Sequence, residues 1–244
     1  MKRYLFILLA AAALLGANGV PDAAKDKAEI TLREIFAFAP GGVIEINDSF
    51  GDLHVEGWDQ ADVEITTIRA TRKEYLARDH AKAMQELERV VITPAKPSDD
   101  RFVITTEFPG RNLFTRPLRG KTNLEVEYRI KVPRHSNLSI KHDIGEVKVT
   151  GVAGNVEVTS RIGEVTLRLP GCASYRIDAR SKIGDVHSDL EGWSQRRLLV
   201  GEQFESDPPV HVRRVYVRVG IGEINLRKMP ATTSRAAPPE AVTL

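Results

Sequence analysis

Four acidic residues recur at one position of a repeated sequence unit and are the first candidates for chemistry. They are Glu146, Glu164, Asp185 and Glu223, and each directly follows a glycine. Paired carboxylates can hydrolyse glycosidic bonds, but as two groups at a set separation with unequal pKa values. The repeat itself explains a column of equivalent acids. A carbohydrate-active enzyme, a polysaccharide lyase or hydrolase on a β-helix, is therefore the alternative and not the expectation.

Metal-binding patterns are not evident in the sequence. Calcium-binding β-rolls also have a nine-residue period, but their units carry several glycines and an aspartate, whereas these have one glycine and usually glutamate. The six histidines never show the i, i+4 spacing of a zinc helix, and Cys172 is the single cysteine. We therefore expect no metal, no other cofactor and no catalytic residues.

The repeat around these acids predicts stacked β-strands. Apolar and polar residues alternate after each glycine, which is the period of a half-buried strand. The repeated glycines are Gly51, Gly145, Gly154, Gly163, Gly184 and Gly222. An isoleucine precedes four of them, and we expect this column to point inward and form a buried ladder: Ile144, Ile162, Ile183 and Ile221. The residues two places after the same glycines are expected to form a second inward ladder: Val147, Val165, Val186 and Ile224. The predicted fold is all-β, with stacked strand repeats resembling a β-solenoid or single-stranded β-helix.

One segment interrupts the strand pattern and defines the domain organisation. Residues 71–88 space apolar residues at roughly helical intervals among charged ones, which predicts a single amphipathic helix insert. The β-repeat domain is expected to cover residues 26–228. Residues 229–244 are rich in proline, alanine and threonine, which predicts a disordered tail.

The start of the chain predicts export. Lys2 and Arg3 precede an apolar run from Tyr4 to Gly16, which together indicate a signal peptide over residues 1–19. The run is too short for a comfortable membrane span, and no later run approaches that length. We expect a periplasmic or extracellular protein without a transmembrane anchor after cleavage.

Charge identifies one candidate binding loop. The chain has 35 basic and 33 acidic residues, which gives no reason to expect nucleic acid as a partner. The loop from Pro109 to Lys121 is nevertheless basic around two apolar residues: Arg111, Leu113, Phe114, Arg116, Arg119 and Lys121. This composition favours a partner-binding loop, and the alternative is a solvated hairpin that tucks its apolar residues onto the sheet. The expected partner is an envelope protein, polysaccharide or lipid.

The order of these motifs resembles a known bacterial family. GGVIEINDSFGDLHVEGWDQADVEIT precedes the helical insert, and YRIKVPRHSNLSIKHDIGEVKVTGVAGNVEVTSRIGEV follows it, before the later IGDV and IGEI units. Over residues 29–228 the chain resembles the bacterial β-strand-repeat family named for adhesins, also called toastrack-type domains of unknown function. The resemblance implies a non-enzymatic adhesin, binding or scaffold module at the cell envelope. Some relatives act in envelope-stress systems, so regulation through a membrane partner is a further alternative.

Export predicts a shortened mature chain. Intact-mass analysis of protein recovered from the periplasm should give an N-terminus near Val20 or Lys25, because the small residues Ala17, Gly19 and Ala24 precede these positions and suit cleavage. A full-length species that begins at Met1 in washed membranes would show instead that the leader is retained as an anchor.

Overall fold

The computed structural model describes residues 5–6, 25–48, 50–107, 123–171, 174–197, 200–210 and 213–230. Strands make up 68% of these residues, with one short α-helix among them. The prediction of an all-β chain with a single helix is therefore confirmed. Within these ranges, no helix is long and apolar enough to cross a membrane.

Twenty strands and one α-helix are described. In chain order the strands are β1 Leu5–Phe6, β2 Lys25–Asp26, β3 Glu29–Ala37, β4 Val43–Asp48, β5 Asp52–Trp58, β6 Asp62–Thr71, β7 Tyr75–Leu76, β8 Val91–Ser98, β9 Arg101–Glu107, β10 Leu124–Pro133, β11 Asn137–Ile144, β12 Val147–Thr150, β13 Val156–Ile162, β14 Val165–Pro170, β15 Tyr175–Ile183, β16 Val186–Ser188, β17 Trp193–Arg197, β18 Gly201–Ser206, β19 Arg213–Ile221 and β20 Ile224–Met229. A 3-10 turn over Ala77–Asp79 leads into the helix α1, His80–Glu88.

Two nine-stranded sheets share one hydrophobic core. The first has the order β1-β3-β6-β10-β5-β12-β14-β20-β16, and the second has the order β17-β18-β15-β19-β13-β11-β4-β9-β8. Side chains alternate between the two faces of a strand, so every second residue enters the core. Strands β2 and β7 form a separate pair.

Six consecutive strand pairs each place one strand in the second sheet and the next strand in the first. We call each pair a coil: β4–β5, β9–β10, β11–β12, β13–β14, β15–β16 and β19–β20. Corresponding strands of neighbouring coils run parallel and in register, with Ile140 opposite Val158 and Val149 opposite Leu167. The 18 residues from Gly145 to Gly163 complete one coil. The nine-residue period of the sequence therefore corresponds to one strand and its corner.

The coils stack in space in a different order from the chain. Coil β9–β10 lies outside β4–β5, and coil β19–β20 lies between β13–β14 and β15–β16. Antiparallel strands complete both sheets, including β3 and β6 in the first and β8, β17 and β18 in the second. The sheets are therefore mixed, and a solenoid with turns stacked in chain order is not confirmed.

The chain passes from the second sheet to the first through glycine corners. The φ angles lie between 123° and 142° at Gly51, Gly145, Gly163, Gly184 and Gly222, in the left-handed region that favours glycine. Each of these glycines donates its N–H to a carbonyl of the neighbouring corner in the stack, at 2.9 to 3.1 Å. A Cβ on Gly145, Gly163 or Gly222 would lie 1.9 Å from the carbonyl oxygen of the glycine in the adjacent coil, which is Gly51, Gly145 or Gly163 respectively. Neighbouring coils therefore touch backbone to backbone.

The apolar columns of the repeat divide into buried and exposed ones. The residues two places after the glycine are at most 4% exposed: Val147, Val165, Val186 and Ile224. In the column before the glycine, Ile183 is 49% exposed and Ile221 is 48% exposed, while Ile144 and Ile162 are half-buried. The predicted inward orientation is therefore wrong at Ile183 and Ile221. The chain already turns at the following glycine, which leaves these side chains on the corner.

The helix is shorter than the predicted segment 71–88. Thr71 ends β6 in the core, and its hydroxyl accepts the Ala28 N–H at 3.1 Å. Tyr75 and Leu76 form β7, which pairs with β2. Only residues 80–88 are α-helical, and the helix buries Ala83 and Leu87. Extended pairing therefore replaces the first part of the helical pattern.

The last predicted boundary also moves slightly. Met229 ends β20 and is paired opposite Pro170, although the sequence pattern places the tail from residue 229. Residues 231–244 and most of the predicted leader lie outside the described residues.

Because the corners are closely packed, substitutions of different glycines should lower the free energy of unfolding by very different amounts. Gly163→Ala should lower the free energy of unfolding by about 3 kcal/mol or more, because a positive φ and a backbone clash act together. Gly41→Ala is the matched control, since Gly41 also has a positive φ but nothing within 4 Å of its Cβ position. It should cost about 1 to 2 kcal/mol. Equal costs in urea melts would show that the coils do not depend on this contact.

Candidate functional site

A basic groove lies on the outer face of the second sheet, over the ends of β11, β13, β19 and β15. It encloses about 710 Å³, and five cationic residues line it: Lys141, Arg161, Arg180, Lys182 and Arg218. The strand register sets them side by side, with Lys141 opposite Thr159, Thr159 opposite Arg218, and Arg218 opposite Arg180. Because all of these positions share the outward phase of their strands, their side chains meet on one face.

The arginines of the groove are fixed by neighbours, whereas two lysines are free. The Arg218 guanidinium lies 3.8 Å from the centroid of the Tyr216 ring and pairs with Asp178. Arg180 Nη2 donates to Gln203 Oε1 at 2.8 Å. In the part of the chain that the structure describes, Lys141 and Lys182 have no ion-pair partner. Asp143 also lines the groove and lies 3.7 Å from Arg161 Nε. The charge that no described acid neutralises therefore comes from Lys141 and Lys182.

A smaller recess of about 420 Å³ continues along the same face. Asn137, Asn155, Arg214 and Tyr216 are among its lining residues. The Asn155 side chain holds the recess together, since its Oδ1 accepts the Arg214 N–H at 2.8 Å and its Nδ2 donates to Asn137 Oδ1 at 2.9 Å. Tyr216 also lies under Arg218, so the recess adjoins the basic groove and lengthens it.

A second exposed feature follows the glycine corners, and we call it the corner ridge. It consists of the apolar residue before each of the five corner glycines and of the equivalent valine before Gly201. In spatial order these residues are Phe50, Ile144, Ile162, Ile221, Ile183 and Val200. Val200 is 60% exposed. The ridge is therefore most open towards the β15–β16 end.

An acid column runs beside the corner ridge. Its members follow the corner glycines and are, in the same order, Asp52, Glu146, Glu164, Glu223, Asp185 and Glu202. None of the ion pairs found among the described residues involves them. Stacked like charges disfavour one another. Glu164 instead accepts hydrogen bonds from Thr166 and Asn225.

Asp48, His142 and Ser160 occupy one row across three parallel strands of the second sheet, on its inner face. His142 is paired with Asp48 on one side and with Ser160 on the other, and its Nδ1 lies 3.3 Å from Asp48 Oδ2. The side chains of His142 and Asp48 are at most 1% exposed. Neither His142 Nε2 nor Ser160 Oγ has a hydrogen-bond partner in the described structure. All three residues border the basic groove, but the row lacks the serine–histidine bond that nucleophilic catalysis requires, and the His142 and Asp48 side chains are buried.

Two residues of the first sheet face the same buried region. Burial raises the pKa of the Tyr128 phenol, and the nearby Asp48 carboxylate raises this pKa further. Burial lowers the pKa of Arg69, whose Nη1 donates to the carbonyl oxygens of Leu87 and Val90 at 3.3 and 2.9 Å. Arg69 thus fixes the end of the helix to the sheet. These contacts are typical of a polar core and not of a reactive site.

The residues singled out from the sequence fall into separate places. The four predicted acids lie together in the acid column, and no group of three His, Cys, Asp or Glu in the described ranges could hold a metal ion. Gly154 lies at the opposite corner, where a Cβ would be 2.0 Å from the Ser136 carbonyl oxygen. The predicted partner-binding loop lies outside the described residues: Arg111, Leu113, Phe114, Arg116, Arg119 and Lys121.

Sequence reasoning missed the basic groove and the full length of the acid column. The groove has no local signal, because its cations come from four strands that are distant in the sequence. The last unit of the column could have been found, since Val200-Gly201-Glu202 repeats the order of apolar residue, glycine and acid.

Comparison with known proteins decides the family. The family model described as Toastrack DUF4097 matches residues 43–216, which is well over half of the chain. The chain belongs to this family. No curated protein matches the sequence. The Toastrack assignment agrees with the resemblance found in the motifs around the glycine repeat.

Solved structures similar to this Toastrack chain come from bacteria. A Clostridium sporogenes protein, provisionally named for cell adhesion, is 15% identical with a TM-score of 0.49, and the match covers 82% of this chain and 100% of that one. A provisionally named adhesin of Bacteroides fragilis is 10% identical with a TM-score of 0.22, covering 81% and 97%. Another from Parabacteroides merdae is 12% identical with a TM-score of 0.23, covering 81% and 77%. These identities are too low to transfer any property.

The row of Asp48, His142 and Ser160 should stabilise the fold through its histidine–aspartate pair and not through its serine. His142→Ala should lower the free energy of unfolding by about 3 to 5 kcal/mol, because the Asp48 carboxyl stays buried without its partner. Asp48→Leu combined with His142→Phe should recover part of this loss. Ser160→Ala should cost less than about 1 kcal/mol, because its hydroxyl makes no hydrogen bond in the described structure. Exposed His187→Ala is the control in the same urea melts, and a large effect of Ser160→Ala would contradict this account.

Proposed function

We propose that this protein is an exported, non-enzymatic binding and scaffold module of the bacterial cell envelope that holds an anionic partner in the basic groove. The observation that carries the proposal is the convergence of five cationic side chains on one face of a rigid sheet. Two of them, Lys141 and Lys182, are left without a neutralising acid among the described residues. Such a surface attracts carboxylate and phosphate groups.

The form of the groove favours an extended ligand over a small one. The groove is a shallow surface feature that continues into the second recess, so a chain-like molecule can contact both. The cations of neighbouring strands are spaced by about 4.8 Å, the distance between strands. A polymer with regularly repeated negative groups can therefore meet several cations at once. We infer that the ligand is a polyanion of the envelope, such as an acidic polysaccharide or a surface of anionic lipid headgroups.

The stacked coils suit a scaffold role. Their strands are joined by backbone hydrogen bonds and by close glycine contacts, which hold the groove residues at fixed positions. We propose that the coils serve as a short solenoid-like scaffold, and the proposed export relies on the predicted leader over residues 1–19. The basic loop from Pro109 to Lys121 is proposed as a second contact, since Thr105 and Thr106 line the groove and the loop follows that strand in the chain.

A paired charge substitution tests the groove. Lys141→Gln with Arg180→Gln removes two cations from the groove, and Arg168→Gln with Arg227→Gln removes two from the outer face of the first sheet. Arg168 and Arg227 are exposed register partners on β14 and β20, so the net charge falls equally in both variants. Binding is measured to polygalacturonate and to vesicles of phosphatidylglycerol in phosphatidylcholine, at low and high salt.

The groove variant should bind at least tenfold more weakly, with a shallower dependence on salt, because fewer ion contacts form. The control variant should bind like the unchanged protein, and both should melt at similar temperatures. A preference for one probe would distinguish a polysaccharide from lipid headgroups. If both variants lost the same amount of affinity, binding would depend on the net charge of the protein and not on the groove. The absence of binding to either probe at low salt would also contradict the proposal.

A further inference from the structure

We propose that the corner ridge is the surface through which two copies of this chain associate, side by side, about a two-fold axis parallel to the ridge. The basic groove faces outward from the second sheet, whereas the ridge lies on the corners between the sheets. The inference therefore goes beyond binding of an anionic partner, although Arg161 and Lys182 belong both to the edge of the groove and to one flank of the ridge.

The ridge is an apolar strip of unusual regularity. Its six rungs are joined by hydrogen bonds from each corner glycine to the carbonyl of the next apolar residue. Six rungs at about 4.8 Å spacing give a length of about 24 Å. Ile221, Ile183 and Val200 are 48%, 49% and 60% exposed. Continuous exposed apolar surface on a soluble protein commonly marks an interaction site.

The two flanks of the ridge carry opposite charge. On one side stands the acid column, without ion pairs among the described residues. On the other side, Arg161 precedes Ile162 and Lys182 precedes Ile183. Asp143 shares this basic side and lies 3.7 Å from Arg161 Nε, while Lys182 has no ion-pair partner within the described ranges. A cross-section of the ridge is therefore basic, apolar and acidic at Ile162 and Ile183, whereas both flanks are acidic at Ile144.

The sequence of basic flank, apolar ridge and acidic flank is complementary to the same surface on a second copy of the chain. A two-fold axis parallel to the ridge places apolar residues on apolar residues and exchanges the two flanks. Each rung then faces the same rung of the other copy, so Lys182 lies opposite the partner's Asp185, and Arg161 lies opposite the partner's Glu164. At the Ile144 rung Asp143 lies opposite Glu146 of the second copy, which opposes association, so two rungs supply the favourable charge pairs. A two-fold axis across the ridge would instead set acids against acids. Self-complementarity of this kind is what a two-fold interface requires.

The dimensions indicate a weak and salt-sensitive dimer. A strip about 24 Å long and about 20 Å wide covers about 500 Å² on each copy, which is below the usual size of a stable interface. The association should therefore strengthen with protein concentration and weaken as salt screens the flanking charges.

A charge exchange tests this arrangement directly. Lys182→Glu and Asp185→Lys are made separately, and the association of each variant is followed by sedimentation at low salt over a range of protein concentrations. Both residues are exposed, so the variants should melt like the unchanged protein. Each variant alone should associate at least tenfold more weakly, because the flanking pairs become repulsive. An equimolar mixture should recover association, because both flanks are again complementary. A mixture that stays monomeric while the unchanged chain dimerises would overturn the proposed geometry.

Crosslinking gives an independent measurement. In a Cys172→Ser background, Ile183→Cys places a thiol on the two-fold axis, opposite the same residue of the second copy. Mild oxidation should give a covalent dimer in high yield at low salt and little in high salt. Val91→Cys is the control, since Val91 is 45% exposed but lies on the edge strand β8. Equal crosslinking at both positions, or a monomeric unchanged protein at millimolar concentration, would refute the dimer.

Discussion

The architecture depends on backbone contact between stacked glycines at the corners. At each corner a carbonyl oxygen of one coil occupies the space that a side chain of the next glycine would need. The same glycines hold a left-handed φ and donate to the neighbouring coil. The spacing of the coils, the register of both sheets and the alignment of every column follow from this contact. Other parts of the repeat tolerate variation, as Ser188 does where the neighbouring coils carry leucine.

The regular stacking also explains why single sequence positions become continuous surfaces. One residue type at one place in the unit becomes a column about 4.8 Å per step when the units align. The glycine–acid order thus produces the acid column, and the apolar residue before the glycine produces the corner ridge. Irregular positions, such as Lys141, Arg180 and Arg218, produce the groove instead. The chain therefore presents two surfaces of different origin, one made by repetition and one by departure from it.

The sequence predicts those features that depend on neighbours in the chain. Alternation along a strand correctly predicts that Val147 and Val165 are buried, and the glycine spacing predicts the corners. It misplaces Ile183 and Ile221, because alternation cannot show that a strand has already reached its turn. The groove and the row of Asp48, His142 and Ser160 join strands that are far apart in the chain. Their assembly depends on coil order, for which the sequence carries no local signal.

The order of the coils has a consequence for how the chain reaches this structure. Strand β15 rests on β19 on one side and on the antiparallel β18 on the other, although β19 is synthesised later. A chain that emerges N-terminus first can stack β4–β5, β11–β12 and β13–β14 as they appear. The place beside β13–β14 must then stay open until residues 213–229 arrive to separate it from β15–β16. Folding is thus completed by insertion at an internal position and not by growth at an end, and such long-range closure is intrinsically slow. Strands β19 and β20 therefore complete the stack by filling the position between β13–β14 and β15–β16.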